Sequence, residues 1–379
     1  MKKLTLLFIT LCLSASIWAL DFKVGLFTYR VTSTSALTVT LIRPDNATDP
    51  TINGTYLSLT DVVIPQTVEY ANKTYTVTEI GTNAFAMADV TEYERKNLNR
   101  NLRTVTIPST VKVIGRGAFS CCAALHTVTF LGDGLKVIDE YAFYDCVALK
   151  NITLPSTLEN IMSYAFYYNL NLGDIAIPKS VKTIGDGVFG FNSNLTKFVF
   201  HEGVMVTGYN LFEGCTGLTN VTLSNSISSI ANGMFKSCKA LTSIDIPDHI
   251  TTIGDSAFYN CHSLSSVEMS ENTTTIGTCS FYNCKELASI IIPSKVTKIG
   301  NSAFYNSPKL KTVYLMPVLP PLFNNYRYIF PLTLPDFYVP CGAADNYIDS
   351  HWVNITDNYN ELCQTYTIYV NQNCTSSIQ

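Results

Sequence analysis

The sequence predicts an α/β solenoid: a right-handed coil with a parallel β-sheet on its concave face and short helical turns on the opposite side. A phenylalanine recurs with a step of 23 residues from Phe143 onward, and a leucine lies six residues after each of the nine phenylalanines from Phe119 to Phe304. A fixed period of this length is typical of proteins in which each unit buries its apolar residues against its neighbours. The ten recurring phenylalanines are Phe85, Phe119, Phe143, Phe166, Phe189, Phe212, Phe235, Phe258, Phe281 and Phe304.

Each unit opens with a short alternating stretch, such as that from Leu241 to Ile246, which predicts a β-strand. Ile253, Ala257 and Phe258 then fall at helical spacing beside N-cap residues such as Asp255, so we expect a short helical turn on the opposite face. Proline ends the strand in six units, because it has no N–H for the ladder. These prolines are Pro65, Pro108, Pro155, Pro178, Pro247 and Pro293.

A glycine column follows the isoleucine of the unit. Asp139, Met162 and Ala231 take the same place in other units. Because methionine would be strained in a left-handed backbone, we expect no positive φ at this column. The glycines are Gly81, Gly115, Gly185, Gly208, Gly254, Gly277 and Gly300.

The repeat unit, which reads LTSIDIPDHITTIGDSAFYNC from Leu241 to Cys261, resembles the BspA-like leucine-rich repeat. That 23-residue unit reads L-x-x-[VI]-x-[IL]-P-x-x-[VI]-x-x-I-G-x-x-A-F-x-x-C. The resemblance covers residues 59–315, or about ten units, and it implies the leucine-rich-repeat form of the coil.

The flanks divide the chain into four regions. Residues 1–19 read as a secretory signal peptide, with two lysines, an apolar run and a small residue at Ala19. Lipidation at Cys12 is disfavoured because Leu11 precedes it. Residues 20–58 are predicted to form an N-terminal β cap over the first of the repeats at 59–315, and residues 316–379 a C-terminal cap and tail. The stretch at 337–355 is similar to the closing segment of the family.

Composition and charge exclude some partners. Charged residues make up 14% of the chain and the net charge is −4, which becomes −6 once Lys2 and Lys3 are removed with the signal peptide. An acidic exported chain argues against nucleic acid as a partner. No later apolar run is long enough for a membrane span, so the mature chain is predicted to have none.

Six cysteines share one column, three residues after the phenylalanine. Asn169, Asn192 and Ser307 replace cysteine there, which indicates a buried structural ladder. A row on one face cannot surround a metal tetrahedrally, and parallel Cβ vectors suit disulfides poorly. The column cysteines are Cys122, Cys146, Cys215, Cys238, Cys261 and Cys284.

Outside this column, we expect a structural disulfide between Cys341 and Cys363, because exported chains meet oxidising conditions. Cys374 is an alternative partner for either residue.

The sequence contains no pattern typical of catalysis. Its five histidines share no short motif, and no metalloprotease, nucleophile-elbow or phosphate-loop signature is present. We therefore predict a chain that is not an enzyme and has no cofactor or metal site.

Two exposed columns are candidates for ligand binding. On the predicted concave face, the acidic and aromatic candidates are Asp245, Glu268 and Tyr314. The alternative is that this face is only the polar, solvent-exposed side of a soluble sheet and binds no ligand. A second column follows the phenylalanine, at Tyr259, Tyr282 and Tyr305. Tyrosine offers contact area and a polar tip that suit protein or sugar recognition, and the alternative is that the rings only cover the turn.

These features predict a secreted or cell-surface binding protein with no catalytic role. The resemblance implies adhesion, since relatives of the family are associated with binding host extracellular proteins such as fibronectin and fibrinogen and with coaggregation of cells. Binding of an extracellular polysaccharide is the alternative, indicated by the tyrosine column and the low charge.

Overall fold

The protein is a parallel β-solenoid whose coils follow the 23-residue repeat. The structure is a computed structural model that describes residues 20–44, 58–86, 98–323, 329–331, 333, 335–340, 342–343, 346–347 and 368–370. The predicted signal peptide lies outside the described residues. In most coils a short strand is followed by a bend, a second and shorter strand, and a series of turns.

The first strand of each coil forms the strand face. Paired residues on neighbouring coils are mostly 23 apart in sequence, as in Ser243 with Ser266 and Ile290 with Val313. Inward residues such as Ile290 are buried and their neighbours in the strand are exposed, which is the alternation expected of a sheet with one face on the core. These strands are β4 (Asp61–Val63), β7 (Thr104–Pro108), β9 (Thr127–Leu131), β13 (Lys197–Val199), β15 (Asn220–Thr222), β17 (Ser243–Asp245), β19 (Ser266–Glu268), β21 (Ser289–Ile292), β23 (Thr312–Leu315), β25 (Asp336–Val339) and β26 (Ile368–Val370).

A second ladder of two-residue strands runs beside the first. Its isoleucine pairs with the equivalent isoleucine of the next coil, as in Ile253 with Ile276. The prediction that Ile253 opens a helical turn is therefore wrong, because this residue closes a strand. The strands are β8 (Val113–Ile114), β10 (Val137–Ile138), β11 (Asn160–Ile161), β12 (Thr183–Ile184), β14 (Val206–Thr207), β16 (Ser229–Ile230), β18 (Thr252–Ile253), β20 (Thr275–Ile276), β22 (Lys298–Ile299) and β24 (Leu322–Phe323).

The strand face is interrupted after β9, because the coils that begin at Leu149 and Leu172 have no first strand and keep only their second-ladder strands, β11 and β12. In the second of these coils the cause is a side chain. Asp174 Oδ1 accepts hydrogen bonds from the backbone N–H groups of Thr196 and Lys197, both at 2.9 Å. Those donors would otherwise pair with a strand carbonyl, so the carboxylate competes with the ladder.

Five strands precede or flank the first coil. The antiparallel strands β1 to β3 lead into β6, which pairs in parallel with β3 and β8 and so joins the second ladder. The ring of Phe27 contacts the first repeat phenylalanine, Phe85, with the centroids 6.4 Å apart. The strands are β1 (Asp21–Val24), β2 (Phe27–Ser33), β3 (Thr38–Ile42), β5 (Thr67–Tyr70) and β6 (Lys73–Ile80).

The core is a continuous stack of the repeat phenylalanines. Neighbouring rings lie 5.0 to 6.0 Å apart with interplanar angles of 2 to 17°. The stack runs from Phe85 through Phe304 and extends one ring further, to Phe330. A single interior thus joins the coils, as the period predicts.

The segment around each phenylalanine is not helical, so the predicted helical turns are wrong. Its alternate N–H groups point to the next coil: Phe119 N donates to Ala142 O at 2.8 Å, and Gly117 N to Glu140 O at 2.8 Å. A helix would direct these groups back along its own chain. The residues two before and two after the phenylalanine have positive φ, between 53 and 72°, at each of these positions that the structure describes from Asn83 to Asn306. A left-handed residue costs about 1 to 2 kcal/mol unless it is glycine.

The glycine column has no positive φ, as predicted. Its glycines are needed for a different reason. A Cβ at Gly208 would lie 2.3 Å from the backbone N of Asp186, and one at Gly185 would lie 2.5 Å from the backbone N of Ser163. These coils approach too closely for any side chain.

Candidate binding surfaces

The cysteine column donates hydrogen bonds to the carbonyl groups of the phenylalanine stack. Cys215 Sγ donates to Phe189 O at 2.9 Å, and the other five thiols make the equivalent bond at 3.1 to 3.5 Å. Asn169 and Ser307 make the same bond to Phe143 and Phe281, at 3.0 and 3.1 Å. Asn192 differs, because its Oδ1 accepts a hydrogen bond from Asn169 N at 2.8 Å and its Nδ2 has no hydrogen-bond partner among the described residues. At the other described positions the column holds small side chains that donate, and cysteine, asparagine and serine can all do so.

This bond predicts how the column tolerates substitution. We expect Cys215→Ser to keep the stability of the wild type to within about 0.5 kcal/mol, as Ser307 indicates. Cys215→Val removes the donor and should lower the free energy of unfolding by about 1 kcal/mol. Urea unfolding of both variants measures the difference, and equal stability of the two would contradict the assigned role.

The column thiols also predict a dependence of stability on pH. Burial raises the pKa of the Cys215 thiol to about 12 and raises the pKa of the other five. Unfolded thiols lose their protons above about pH 8.5, whereas the folded thiols keep theirs. The folded state then binds more protons, so the free energy of unfolding should fall as the pH rises above that value and keep this contribution below it. Urea unfolding at pH 7 and pH 10 tests this. Cys215→Asn should make the decrease in the free energy of unfolding between the two pH values smaller.

The strand face brings together the three predicted strand residues. Asp245 and Glu268 pair in register on β17 and β19, and both are exposed. Neither carboxylate has an ion-pair partner among the described residues. Like charges on neighbouring strands repel. The arrangement therefore leaves negative charge available at this point of the face.

Apolar residues continue the same column toward the C-terminal end. The side chain of Ile291 is 51% exposed and that of Tyr314 is 36% exposed, although large side chains of these types are usually more buried. Tyr314 pairs in register with Tyr338 on β25, and their rings stack with centroids 5.1 Å apart. We name Asp245, Glu268, Ile291, Tyr314 and Tyr338 the strand-face column.

Sequence reasoning missed Tyr338 because it lies beyond the last unit that carries the repeat pattern. The signal that could have found it is the stretch DFYV, which alternates like the repeat strands and forms β25.

The three turn-side tyrosines form a separate ladder. The rings of Tyr259 and Tyr282 stack at 4.8 Å and 7°, and Tyr282 and Tyr305 lie 5.8 Å apart at 41°. All three are half-buried. They stand on the turn segment and not on the strands, so the six predicted ligand residues belong to two different faces. In the stack of Tyr259 on Tyr282 one face of each ring is covered by the other.

A cavity of about 500 Å³ opens where the strand face is interrupted after β9. The unit that begins at Leu125 has one more residue than the usual repeat, in the stretch FLGDGL. Asp133 in this stretch accepts a hydrogen bond from the N–H of Ser156 at 2.8 Å. The cavity is lined by Val128, Thr129, Phe130, Gly132, Asp133, Thr153, Leu154, Pro155 and Ser156.

Several predictions concern residues or groups that the described structure does not test. Cys341, Cys363 and Cys374 lie outside the described residues, so the predicted disulfide stays a prediction. Within the part of the chain that the structure describes, no three His, Cys, Asp or Glu side chains cluster as metal ligands would. The described residues also contain no helix long and apolar enough to span a bilayer.

The stacked coils, the phenylalanine core and the paired strands define the chain as a leucine-rich repeat solenoid. The family model described as the BspA type leucine rich repeat region matches residues 92–219 and 207–320, in six copies. The match spans more than half of the chain, and the protein therefore belongs to this family.

Solved structures with a similar fold come from several bacteria. The pneumococcal vaccine antigen PcpA is 21% identical, with a TM-score of 0.55, and the match covers 93% of this chain and 99% of that one. A leucine rich cell surface protein from Faecalibacterium prausnitzii A2-165 is 23% identical over 78% of this chain and 89% of that one, with a TM-score of 0.49. A leucine-rich repeat protein from Bacteroides ovatus is 22% identical over 93% and 100%, with a TM-score of 0.44. At 21% identity the likeness to PcpA shows the fold alone.

No curated protein matches the chain by sequence.

Proposed function

We propose that this protein is exported and binds an extracellular protein, on a host or a neighbouring cell, through the strand-face column. The observation that carries the proposal is the exposure of Ile291 and Tyr314 in line with two carboxylates that form no ion pair with any described residue. Exposed apolar groups rimmed by charge are typical of protein interaction sites. A partner with a basic rim around an apolar centre would complement them.

The rigid scaffold supports this role. Each coil adds one position to a column, so the strand face is a broad surface on which many modest contacts add together. The signal-like N-terminus favours export. The proposal contains no catalytic step, and turnover of an ester, peptide or glycoside substrate by the purified chain would contradict it.

The experiment is a binding measurement on the mature chain, residues 20–379, with immobilised fibronectin and fibrinogen as the first probes. We expect binding to at least one of them, with an affinity that falls as salt is added because charge contributes to it. The double substitution Asp245→Asn, Glu268→Gln should remove most of the salt dependence. The proposed surface would be contradicted if the chain bound neither probe, or if it bound one of them with an affinity that does not change with salt.

Polysaccharide binding is the second candidate, and the cavity after β9 is the observation that favours it. Phe130 provides a half-buried ring, while Thr129, Thr153 and Asp133 provide exposed hydroxyl and carboxylate groups. A ring beside a few polar groups is typical of small-ligand sites. The turn-side tyrosine ladder supports this candidate less, because the stack of Tyr259 on Tyr282 covers one face of each ring.

A glycan array separates the two candidates. Binding of a neutral glycan that is lost in Phe130→Ala and kept in Tyr314→Ala would favour the cavity. An array with no bound glycan would exclude this candidate.

A further inference from the structure

The second ladder is open at one junction, between β14 and β16, which belong to different sheets. All its other junctions from β6 to β24 are paired. At a paired junction the residues just before and just after the short strand donate to the previous coil. Met205 N donates to Lys182 O at 2.9 Å. Gly208 N likewise donates to Ile184 O at 2.8 Å.

One coil later, the equivalent donors are Ser228 N and Ala231 N. Within the part of the chain that the structure describes, neither donates a backbone hydrogen bond to the coil before it. The pattern resumes in the following coil, where Thr251 N donates to Ser228 O at 3.3 Å and Gly254 N donates to Ile230 O at 2.9 Å. We name residues 205–208 and 228–231 the ladder gap.

The sequence departs from the repeat at the centre of the ladder gap. Thr207 occupies the column in which the other coils from Ile80 to Ile299 place an isoleucine. Those isoleucines have no exposed surface, whereas Thr207 is partly exposed. Burying a hydroxyl without a hydrogen-bond partner costs free energy. Threonine therefore favours an open junction where isoleucine favours a closed one.

The two coils stay joined along their other sides. On the turn side, Phe212 N donates to Met234 O at 2.9 Å and the rings of Phe212 and Phe235 stack at 5.7 Å. Lys236 and Glu213 form an ion pair there at 2.8 Å. On the strand face, β13 and β15 are paired. The missing hydrogen bonds are thus confined to one side of the coil.

The ladder gap faces solvent. The side chains of Met205 and Tyr209, on its β14 side, are 65% and 57% exposed. Water can therefore satisfy the backbone groups that the ladder leaves unbonded. Because a hydrogen bond exchanged with water contributes little net free energy, the open and closed forms of this junction are close in free energy.

We propose that the solenoid has a hinge at the ladder gap, where the two coils open and close because Thr207 does not support a stable closed ladder. The turn side and the paired strands β13 and β15 form the pivot, so a few residues absorb the motion. The hinge lies between the cavity after β9 and the strand-face column, and bending changes the angle between these two surfaces. The inference does not rest on the proposed function.

Hydrogen exchange of the mature chain, resolved by site with mass spectrometry, tests the open ladder. We expect the amides of Ser228 and Ala231 to exchange at least tenfold faster than those of Thr251 and Gly254, after correction for intrinsic rates. Thr207→Ile restores the residue of the column and should slow exchange at Ser228 and Ala231.

Double electron–electron resonance tests the bending. Nitroxides carried on a keto amino acid, which leaves the native thiols unlabelled, replace the exposed residues Lys112 and Thr251. These lie on opposite sides of the gap and six coils apart, or about 29 Å at about 4.8 Å per coil. The control pair, Lys112 and Met205, lies before the gap and four coils apart, or about 19 Å. We expect the distance distribution across the gap to be at least twice as wide as that of the control pair.

Thr207→Ile should narrow the distribution across the gap to the width of the control pair. The matched control is Thr252→Ile, the same chemical change on the paired strand β18, which should leave the width unchanged. Equal widths for the two label pairs in the wild type, or a Thr207→Ile variant as wide as the wild type, would overturn the proposal. Exchange at Ser228 and Ala231 as slow as at Thr251 and Gly254 would overturn it as well.

Discussion

Phe166→Ala is expected to destabilise the solenoid by about 3 to 5 kcal/mol, the range for removing a large aromatic ring from a core. Phe166 is fully buried between Phe143 and Phe189, with ring centroids 5.3 and 6.0 Å away. Its removal takes away contacts with both neighbours. Because each coil is stabilised mainly by the coils beside it, the loss also weakens the coupling between the two halves of the chain.

Urea unfolding of the purified chain measures this effect. The matched control is Tyr282→Ala, which deletes a ring of similar size from a half-buried position on the turn side and should cost much less. If the two halves separate, Phe166→Ala should unfold in two steps where the wild type unfolds in one. A loss below about 1 kcal/mol, typical of surface changes, would contradict the stacked core.

Gly208→Ala is the second large effect, although it adds only one methyl group. Its Cβ would lie 2.3 Å from both Asp186 N and the carbonyl carbon of Gly185, and backbone atoms cannot turn away as a side chain can. The coils must separate, so we expect a loss of about 1 to 3 kcal/mol, as for other overpacked sites. Thermal unfolding would show it as a lower Tm.

Gly173→Ala is the control for this substitution. Its Cβ would meet only Lys150 O, at 3.6 Å, which is an ordinary contact. We expect a change within about 0.5 kcal/mol. Met162 and Ala231 carry a Cβ at the position equivalent to Gly208, so the close approach is a property of the glycine coils and not of every coil. Equal stability of Gly208→Ala and Gly173→Ala would show that the neighbouring coils do not approach closely at Gly208.

The sequence contained enough information for the coil, its period and its core, because the stack needs the same residue type at the same place in every coil. It also identified the cysteine column as structural. What it did not contain was the direction of the backbone N–H groups near each phenylalanine. The spacing of Ile253, Ala257 and Phe258 matches a helix, yet Ile253 ends a strand and the other two lie in a turn whose alternate N–H groups, such as that of Phe258, bond to the next coil.

The candidate residues were only partly predictable for a related reason. A column of tyrosines is visible in the sequence, but whether the rings stack or lie apart depends on the coil spacing. Asp245, Glu268 and Tyr314 share one column, as the alternation indicated, while Tyr259, Tyr282 and Tyr305 belong to another face. The aromatic residues Tyr141, Tyr164, Tyr168 and Phe191 occupy positions where other units place smaller residues such as glycine or asparagine. The repeat pattern therefore carries no signal for them.

The interruption after β9 has a different origin. The sequence shows the extra residue in the unit from Leu125. It does not show that the next coil lacks its first strand. In the following coil, a side-chain carboxylate at Asp174 replaces a carbonyl of the ladder. Such a hydrogen bond is a contact between coils, and it does not change the spacing of the repeat in the sequence.

The central functional claim is that the C-terminal half of the strand face binds a protein. Surface plasmon resonance of the mature chain and of Ile291→Ala, Tyr314→Ala on immobilised fibronectin and fibrinogen tests it most directly, once circular dichroism shows both proteins folded. The account predicts at least a tenfold weaker affinity for the variant, or a loss of about 1.4 kcal/mol. An affinity equal to that of the wild type would contradict it.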